Sequence, residues 1–156
     1  PVTPAQPTLS SVTQPTCSIA TGSFTITNYD ASYIYTVSPS VDVSVSGNTV
    51  TALAGTYTIT VTLGLCQIST NTTVNAQPVT PEQPILSNVT QPTCSVATGS
   101  FTITNYNASY VYTSSPSVGV AISGNTVTAP AGSYTITATL GVCTSVTSAS
   151  KTVNTQ

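Results

Sequence analysis

Displaced by 77 positions, residues 1–66 fall on residues 78–143, and 52 of the 66 pairs are identical. The fold must therefore be one that the chain can build twice. A period of this length exceeds those of solenoids and propeller blades and matches a small self-contained domain. The expected organisation is one domain over residues 1–77 and a second over 78–156. The later copy carries two extra residues after its second cysteine before both copies reach "VN-x-Q". The joint, "NAQPVTPEQP" over residues 75–84, places Pro78, Pro81 and Pro84 at every third position, as Pro1, Pro4 and Pro7 stand earlier. That spacing favours an extended polyproline II spacer, or the start of a first strand along a sheet edge. The chain reads as a segment of a longer polypeptide, with targeting segments lying outside it.

The differences between the copies act as an internal experiment. Ile19/Val96, Ile34/Val111, Val45/Ile122 and Leu65/Val142 exchange one aliphatic residue for another, the behaviour expected of buried positions. Asp30/Asn107, Ser11/Asn88, Asp42/Gly119 and Ala5/Glu82 change polarity or charge, as exposed positions allow. Neither Asp30 nor Asp42 has an acidic counterpart in the second copy, so neither serves a function common to both.

Period-two alternation runs through each copy. "GSFTITNY" sets Phe24 and Ile26 on one face, and "TYTITVTL" sets Tyr57, Ile59, Val61 and Leu63 against Thr58, Thr60 and Thr62. Gly47-Asn48 between two alternating runs is a two-residue hairpin signal. Strands are expected near 8–14, 22–29, 32–37, 41–46, 49–53, 56–63 and 66–75. The fold class is therefore all-β: two tandem immunoglobulin-like β-sandwich domains of about seven strands each. "LAGTYTI" places Tyr57 where such sandwiches carry a tyrosine corner, and Tyr134 repeats it.

Each copy has two cysteines, Cys17 and Cys66, then Cys94 and Cys143. Four cysteines allow three pairings. If each copy folds independently, Cys17–Cys66 and Cys94–Cys143 are the economical choice, with free buried thiols as the alternative. A domain this small has a marginal core for which a staple is expected, and closing such a loop contributes about 4 kcal/mol in the chain-entropy model.

Composition excludes several classes of function. With Lys151 as the sole basic residue, the chain lacks the charge to neutralise nucleic-acid phosphates or to hold anionic lipid. No run approaches the length of a membrane span. Hydroxyls are plentiful, yet with no histidine nothing stands ready to activate them, and an enzyme is not expected. Asp30, Asp42 and Glu82, the only acids, make neither a carboxylate pair nor a metal cage, so neither metal nor cofactor is expected. Tyr33 and Tyr35, repeated as Tyr110 and Tyr112, are candidate ligand contacts for a surface glycan; Tyr29 and Tyr106 extend the group.

"VTQPTCSIATGSFTIT", "AGTYTITVTLGLC" and "TTVNAQPVTPEQP" together resemble the tandem repeats of very large flavobacterial cell-surface proteins, the SprB-like repeats of gliding adhesins and related Bacteroidota surface proteins. Cys17, Gly22, Ser23, Ala54, Gly55, Tyr57 and Cys66 carry the pattern, with Cys94, Gly99, Ser100, Ala131, Gly132, Tyr134 and Cys143 in the second copy. The resemblance covers nearly the whole chain. It implies a structural segment of an extracellular surface protein, a stalk or filament used in adhesion or gliding motility and exported by the type IX route. A glycan-binding module, or spacer domains of a secreted enzyme, are the alternatives. The expected partners are neighbouring repeats, other copies meeting through sheet edges, and surface glycans.

Overall fold

Threonine alternating with aliphatic residues builds the longest strands of each repeat. In the computed structural model, which describes residues 2–156, the chain divides into two compact units, Pro1–Pro78 and Val79–Gln156. The first contains β1 (Gly22–Thr25), β2 (Ile34–Ser38), β3 (Val43–Ser46), β4 (Thr49–Ala52), β5 (Gly55–Leu63) and β6 (Cys66–Val74). β5 buries Tyr57, Ile59 and Val61 and turns its threonines outward, as a strand covered on one face must. It is central in the sheet β2-β5-β6, while β4 is central in β1-β4-β3. The segment before β1 adds antiparallel bridges Leu9↔Ile26 and Thr13↔Ser23. Four antiparallel segments facing three is the constant-type immunoglobulin arrangement.

Two tight turns set the register. Gly47, at φ 57°, opens the turn between paired Ser46 and Thr49, and Gly64, at φ 61°, the turn between Leu63 and Cys66. A glycine with positive φ at the first central position matches the right-handed twist of the flanking strands.

The segment before β1 is interrupted by a serine. Ser10 donates its N–H to the Thr25 carbonyl, and its hydroxyl accepts the Thr25 N–H, both at 2.9 Å. One serine thus satisfies both backbone groups of a single opposite residue. Ser87 does the same for Thr102 in the second unit.

The second unit contains β7 (Gly99–Thr102), β8 (Val111–Ser115), β9 (Ala121–Ser123), β10 (Thr126–Ala129), β11 (Gly132–Leu140), β12 (Cys143–Thr144) and β13 (Lys151–Val153). Its sheets are β7-β10-β9 and a second in which β8, β12 and β13 all pair with β11. The two extra residues split what is one continuous strand, β6, in the first unit. In the gap, Ser145 and Ser148 repeat the serine device: their hydroxyls accept the N–H groups of Ala138 and Ile136, both at 2.9 Å, and their own N–H groups donate to the carbonyls of the same residues. They are the buried polar residues of the structure, and no buried side-chain polar atom among the described residues lacks a partner.

The cores correspond residue for residue. Phe24, Ile26, Val50, Ala52, Tyr57, Ile59 and Val74 pack together in the first unit, and Phe101, Ile103, Val127, Ala129, Tyr134, Ile136 and Val153 in the second. Three of the four aliphatic exchanges between copies lie elsewhere, contrary to the expectation that they mark buried sites; in the fourth, Val45 is 52% exposed while Ile122 packs half-buried against the second core. Ile19 and Val96 are 56% and 52% exposed, Ile34 and Val111 66% and 65%, Leu65 and Val142 100% and 82%. Interior residues are mostly identical in the two copies because a close-packed core resists even a methylene change; Val61/Ala138 is the buried exception.

The prolines belong to the repeats. Pro4 and Pro7 are buried, as are their equivalents Pro81 and Pro84; Pro1 lies outside the described residues. Between Pro4 and Pro7, the Gln6 carbonyl accepts from Asn28 Nδ2 and the Gln6 amide donates to the Ser69 carbonyl. Asn75 and Gln77, at the start of the expected joint, bond to Gln14 Oε1 and the Cys17 carbonyl.

Candidate functional site

The tyrosines gather on the loop between β1 and β2 because Asp30 folds it back. Asp30 Oδ1 accepts the Ser32 N–H at 2.9 Å and the Ser32 hydroxyl at 2.7 Å. These bonds, the backbone one foremost, hold the exposed Asp30 carboxyl below the usual carboxylate value. Asn107 makes the same turn with a neutral acceptor, taking the Ser109 N–H at 2.9 Å. The turn needs the oxygen and not the charge.

Tyr35 then stacks on Tyr29 with ring centroids 4.9 Å apart, and Tyr112 on Tyr106 at 5.2 Å. Tyr35 also packs against the core, and its hydroxyl oxygen accepts the Asp30 N–H at 3.2 Å. Tyr112 receives the Asn107 N–H at 2.9 Å and carries Tyr110 tilted against it at 6.3 Å. Tyr33 and Tyr110 are half-buried. Among the four expected ligand contacts, Tyr35 and Tyr112 are thus engaged in holding their own loop. The open rings are those of Tyr29 and Tyr106, 39% and 38% exposed.

Tyr57 and Tyr134 are buried, and their hydroxyls donate to the carbonyls of Leu53 at 2.9 Å and Pro130 at 3.0 Å. A carbonyl acceptor explains why leucine and proline can exchange there without loss of the bond.

The remaining ionisable groups are dispersed. Asp42 sits in a left-handed backbone conformation, φ 58°, where the second copy has Gly119 at φ 73°. Glu82 is exposed, and Lys151 is half-buried in β13 opposite Tyr134. Among the described residues, no three His, Cys, Asp or Glu side chains are grouped to hold a metal ion, and no helix is long and apolar enough to cross a membrane. An open groove of about 520 Å³ runs between residues 6–10 and 70–72, lined by threonine hydroxyls and amides.

The cysteines depart from the expected pairing. Cys66 and Cys94 are free thiols, while Cys17 and Cys143 are disulfide-bonded, so neither Cys17–Cys66 nor Cys94–Cys143 is present. The reason is geometric. Cys66 pairs with Leu63 at one end of β5, and Val74 pairs with Gly55 at the other. The loop bearing Cys17 lies at the Val74 end, where Gln14 reaches the Thr73 carbonyl and Gln77 the Cys17 carbonyl. Eight residues of extended strand span roughly 26 Å, against the ~7 Å that a disulfide allows between Cα atoms. In the second unit, Gln91 and Gln156 fix the Cys94 loop at the Val153 end, reaching the Thr152 and Thr93 carbonyls. Cys143 pairs with Leu140 at the opposite end. Sequence spacing shows how many residues separate two cysteines but not which way the intervening strand carries the second.

No protein-family model matches the chain, and no curated protein does. Among solved structures, it is similar to murine CEACAM1b, at 20% identity over 75% of this chain and 69% of that one, with a TM-score of 0.47. It is also similar to domains 4 and 5 of the S-layer protein SbsC, at 18% identity over 94% and 98% with a TM-score of 0.29. A chimeric titin Z1Z2 follows at 13% identity over 97% and 98%, TM-score 0.26. At these scores the likenesses carry no argument of their own, and the fold rests on strand order and register. On that footing the chain is a tandem of two immunoglobulin-like β-sandwiches.

Proposed function

We propose that this chain is a structural repeat segment of a large extracellular surface protein, its sandwiches forming a stalk or filament that serves adhesion or gliding motility. The observation that supports this most is the duplication of a complete module, core residue for core residue. The polar groups that drew attention in the sequence, Asp30, Tyr35, Tyr57 and their counterparts, hold their own turns. The acid that does stand beside a hydroxyl, Asp30 against Ser32, is replaced by Asn107 in the second copy, so the reading is of a scaffold and not an enzyme. Disulfide-bonded Cys17 and Cys143 suit an oxidising compartment, and export by the type IX route follows the resemblance to SprB-like repeats.

Neighbouring repeats and further copies are the proposed partners. β2 and β3 are sheet edges without charge, presenting Ile34 and Val45 at 66% and 52% exposure. Uncharged edges of this kind invite strand-to-strand pairing. Nucleic acid and anionic lipid remain unsuited partners for a chain with one lysine.

Imaging native surface material by negative stain tests the reading, alongside sedimentation of this chain over a wide concentration range. Beaded rods or ordered filaments are expected, with association that Ile34→Lys and Val45→Lys weaken. Native material without fibres, and a chain monomeric at every concentration, would remove it. A glycan-binding reading would rest on the exposed Tyr29 and Tyr106 rings; array binding lost in Tyr29→Ala and Tyr106→Ala would favour it.

A further inference from the structure

Every repeat carries a loop cysteine ahead of its first sheet strand (Cys17, Cys94) and a turn cysteine opening the strand that follows β5 or β11, which is β6 or β12 (Cys66, Cys143). The two lie at opposite poles, so no repeat can close its own pair. Both kinds nevertheless form disulfides, since loop cysteine Cys17 and turn cysteine Cys143 are bonded. The free set also holds one of each kind: Cys94 is exposed and Cys66 half-buried.

The surroundings of the free thiols are complementary. Cys66 opens on an apolar cavity of about 320 Å³ whose walls include Val2, Leu63 and Leu65, and Leu65 is fully exposed. Cys94 sits in a small loop closed by reciprocal Thr93 and Val96 backbone bonds, which hold Val96 out at 52% exposure. Beside each cysteine the exposed neighbour is aliphatic in both copies, Ile19/Val96 next to the loop and Leu65/Val142 next to the turn. Exposed aliphatics that vary in shape but not in character fit a surface covered in the assembled state.

We propose that Cys94 of one copy of this chain forms a disulfide with Cys66 of a second copy, joining copies head to tail, with Val96 seated on the apolar cavity beside Cys66. The inference deepens the fibre reading and rests on it. The oxidant is a disulfide, either a small molecule or an oxidised thiol–disulfide oxidoreductase. The Cys94 thiolate attacks it and displaces one thiolate; the Cys66 thiolate of the second copy then attacks the Cys94 sulfur and displaces the other. Two protein thiols lose two protons and two electrons, and the oxidant leaves as two thiols.

The whole chain at high concentration in a reduced and oxidised glutathione buffer, followed on non-reducing gels with mass spectrometry of peptic peptides, tests this. The expected result is a ladder beyond two copies that dithiothreitol collapses and that contains Cys94–Cys66 peptides. Cys66→Ser or Cys94→Ser should each abolish the ladder and leave single copies, and Val96→Asp should slow it severalfold while leaving the unfolding midpoint nearly unchanged. A wild-type chain that ends only glutathionylated, or that links Cys66 to Cys66 and Cys94 to Cys94, overturns the proposal. Native filaments that coexist with that result would leave the fibre reading standing and reject the disulfide alone.

Discussion

Gly22 lies so close to Val74 that a β-carbon on the glycine would sit 2.7 Å from Val74 Cγ1 and 2.8 Å from the Thr13 carbonyl oxygen. Gly99 stands in the same relation to Val153 and Thr90, at 2.7 and 2.9 Å. The absence of a side chain lets the first sheet strand meet the end of the last one. Gly22→Ala should destabilise the first unit by about 1–3 kcal/mol, as overpacking of a rigid core does. Denaturant unfolding checks this. Val74→Ala added to it should recover only part of the loss, because the Thr13 carbonyl stays in place.

Ser148 carries a second prediction. Its hydroxyl is the acceptor for the buried Ile136 N–H at 2.9 Å. Ser148→Ala leaves that donor unpaired, at a cost of about 1–3 kcal/mol. Hydrogen exchange should accelerate at the Ile136 amide and remain slow at Ile59, whose strand runs against the continuous β6.

Asp42 and Gly119 give an internal control on backbone strain. Asp42→Gly removes a side chain from a left-handed conformation, φ 58°, and should raise stability by up to about 1 kcal/mol. Gly119→Ala should act in the opposite sense, since its β-carbon would also stand 3.2 Å from Pro130 Cγ. Paired thermal melts of the two variants read both signs.

The Asp30 carboxyl, held below its ordinary value of 3.8 by the Ser32 bonds, yields a pH dependence. A folded-state pKa below the unfolded one means that the contribution is fully present above the unfolded value. It is lost as pH falls through the folded one. Asp30→Asn should therefore lower stability slightly near neutrality, converge with the parent chain in strong acid, and make stability less dependent on pH in the range below 3.8. A carbon-detected NMR titration of Asp30 gives the direction of the shift directly.

Much of the fold was legible because the signals that encode it are local. Alternation placed β5 and β6 nearly residue for residue, and Gly47-Asn48 marked its hairpin. The candidate site was less legible. Tyr35 reads as an exposed aromatic until the Asp30 turn folds the loop onto its hydroxyl, a contact five residues apart that no periodicity reports. Ile34 and Leu65 read as core because they exchange conservatively, although strand direction and turn position put them outside. The cysteine pairing failed for a related reason, since economy of spacing ignores that nine residues of strand separate the ends they occupy. The serines of the β12–β13 gap escaped notice in a chain so rich in hydroxyls, where only the two-residue insertion hinted at them.

That insertion has a consequence for biosynthesis. Adjacent domains with nearly identical sequences are prone to exchange strands as they emerge and fold. Here the closing strands are where the copies differ in length. β11 meets two serine hydroxyls where β5 meets unbroken backbone, and Ala138 stands where Val61 does. A borrowed last strand would arrive two residues too long or too short for its acceptor. The irregularity thus gives each repeat a C-terminal strand whose length matches its own sheet and not its neighbour's.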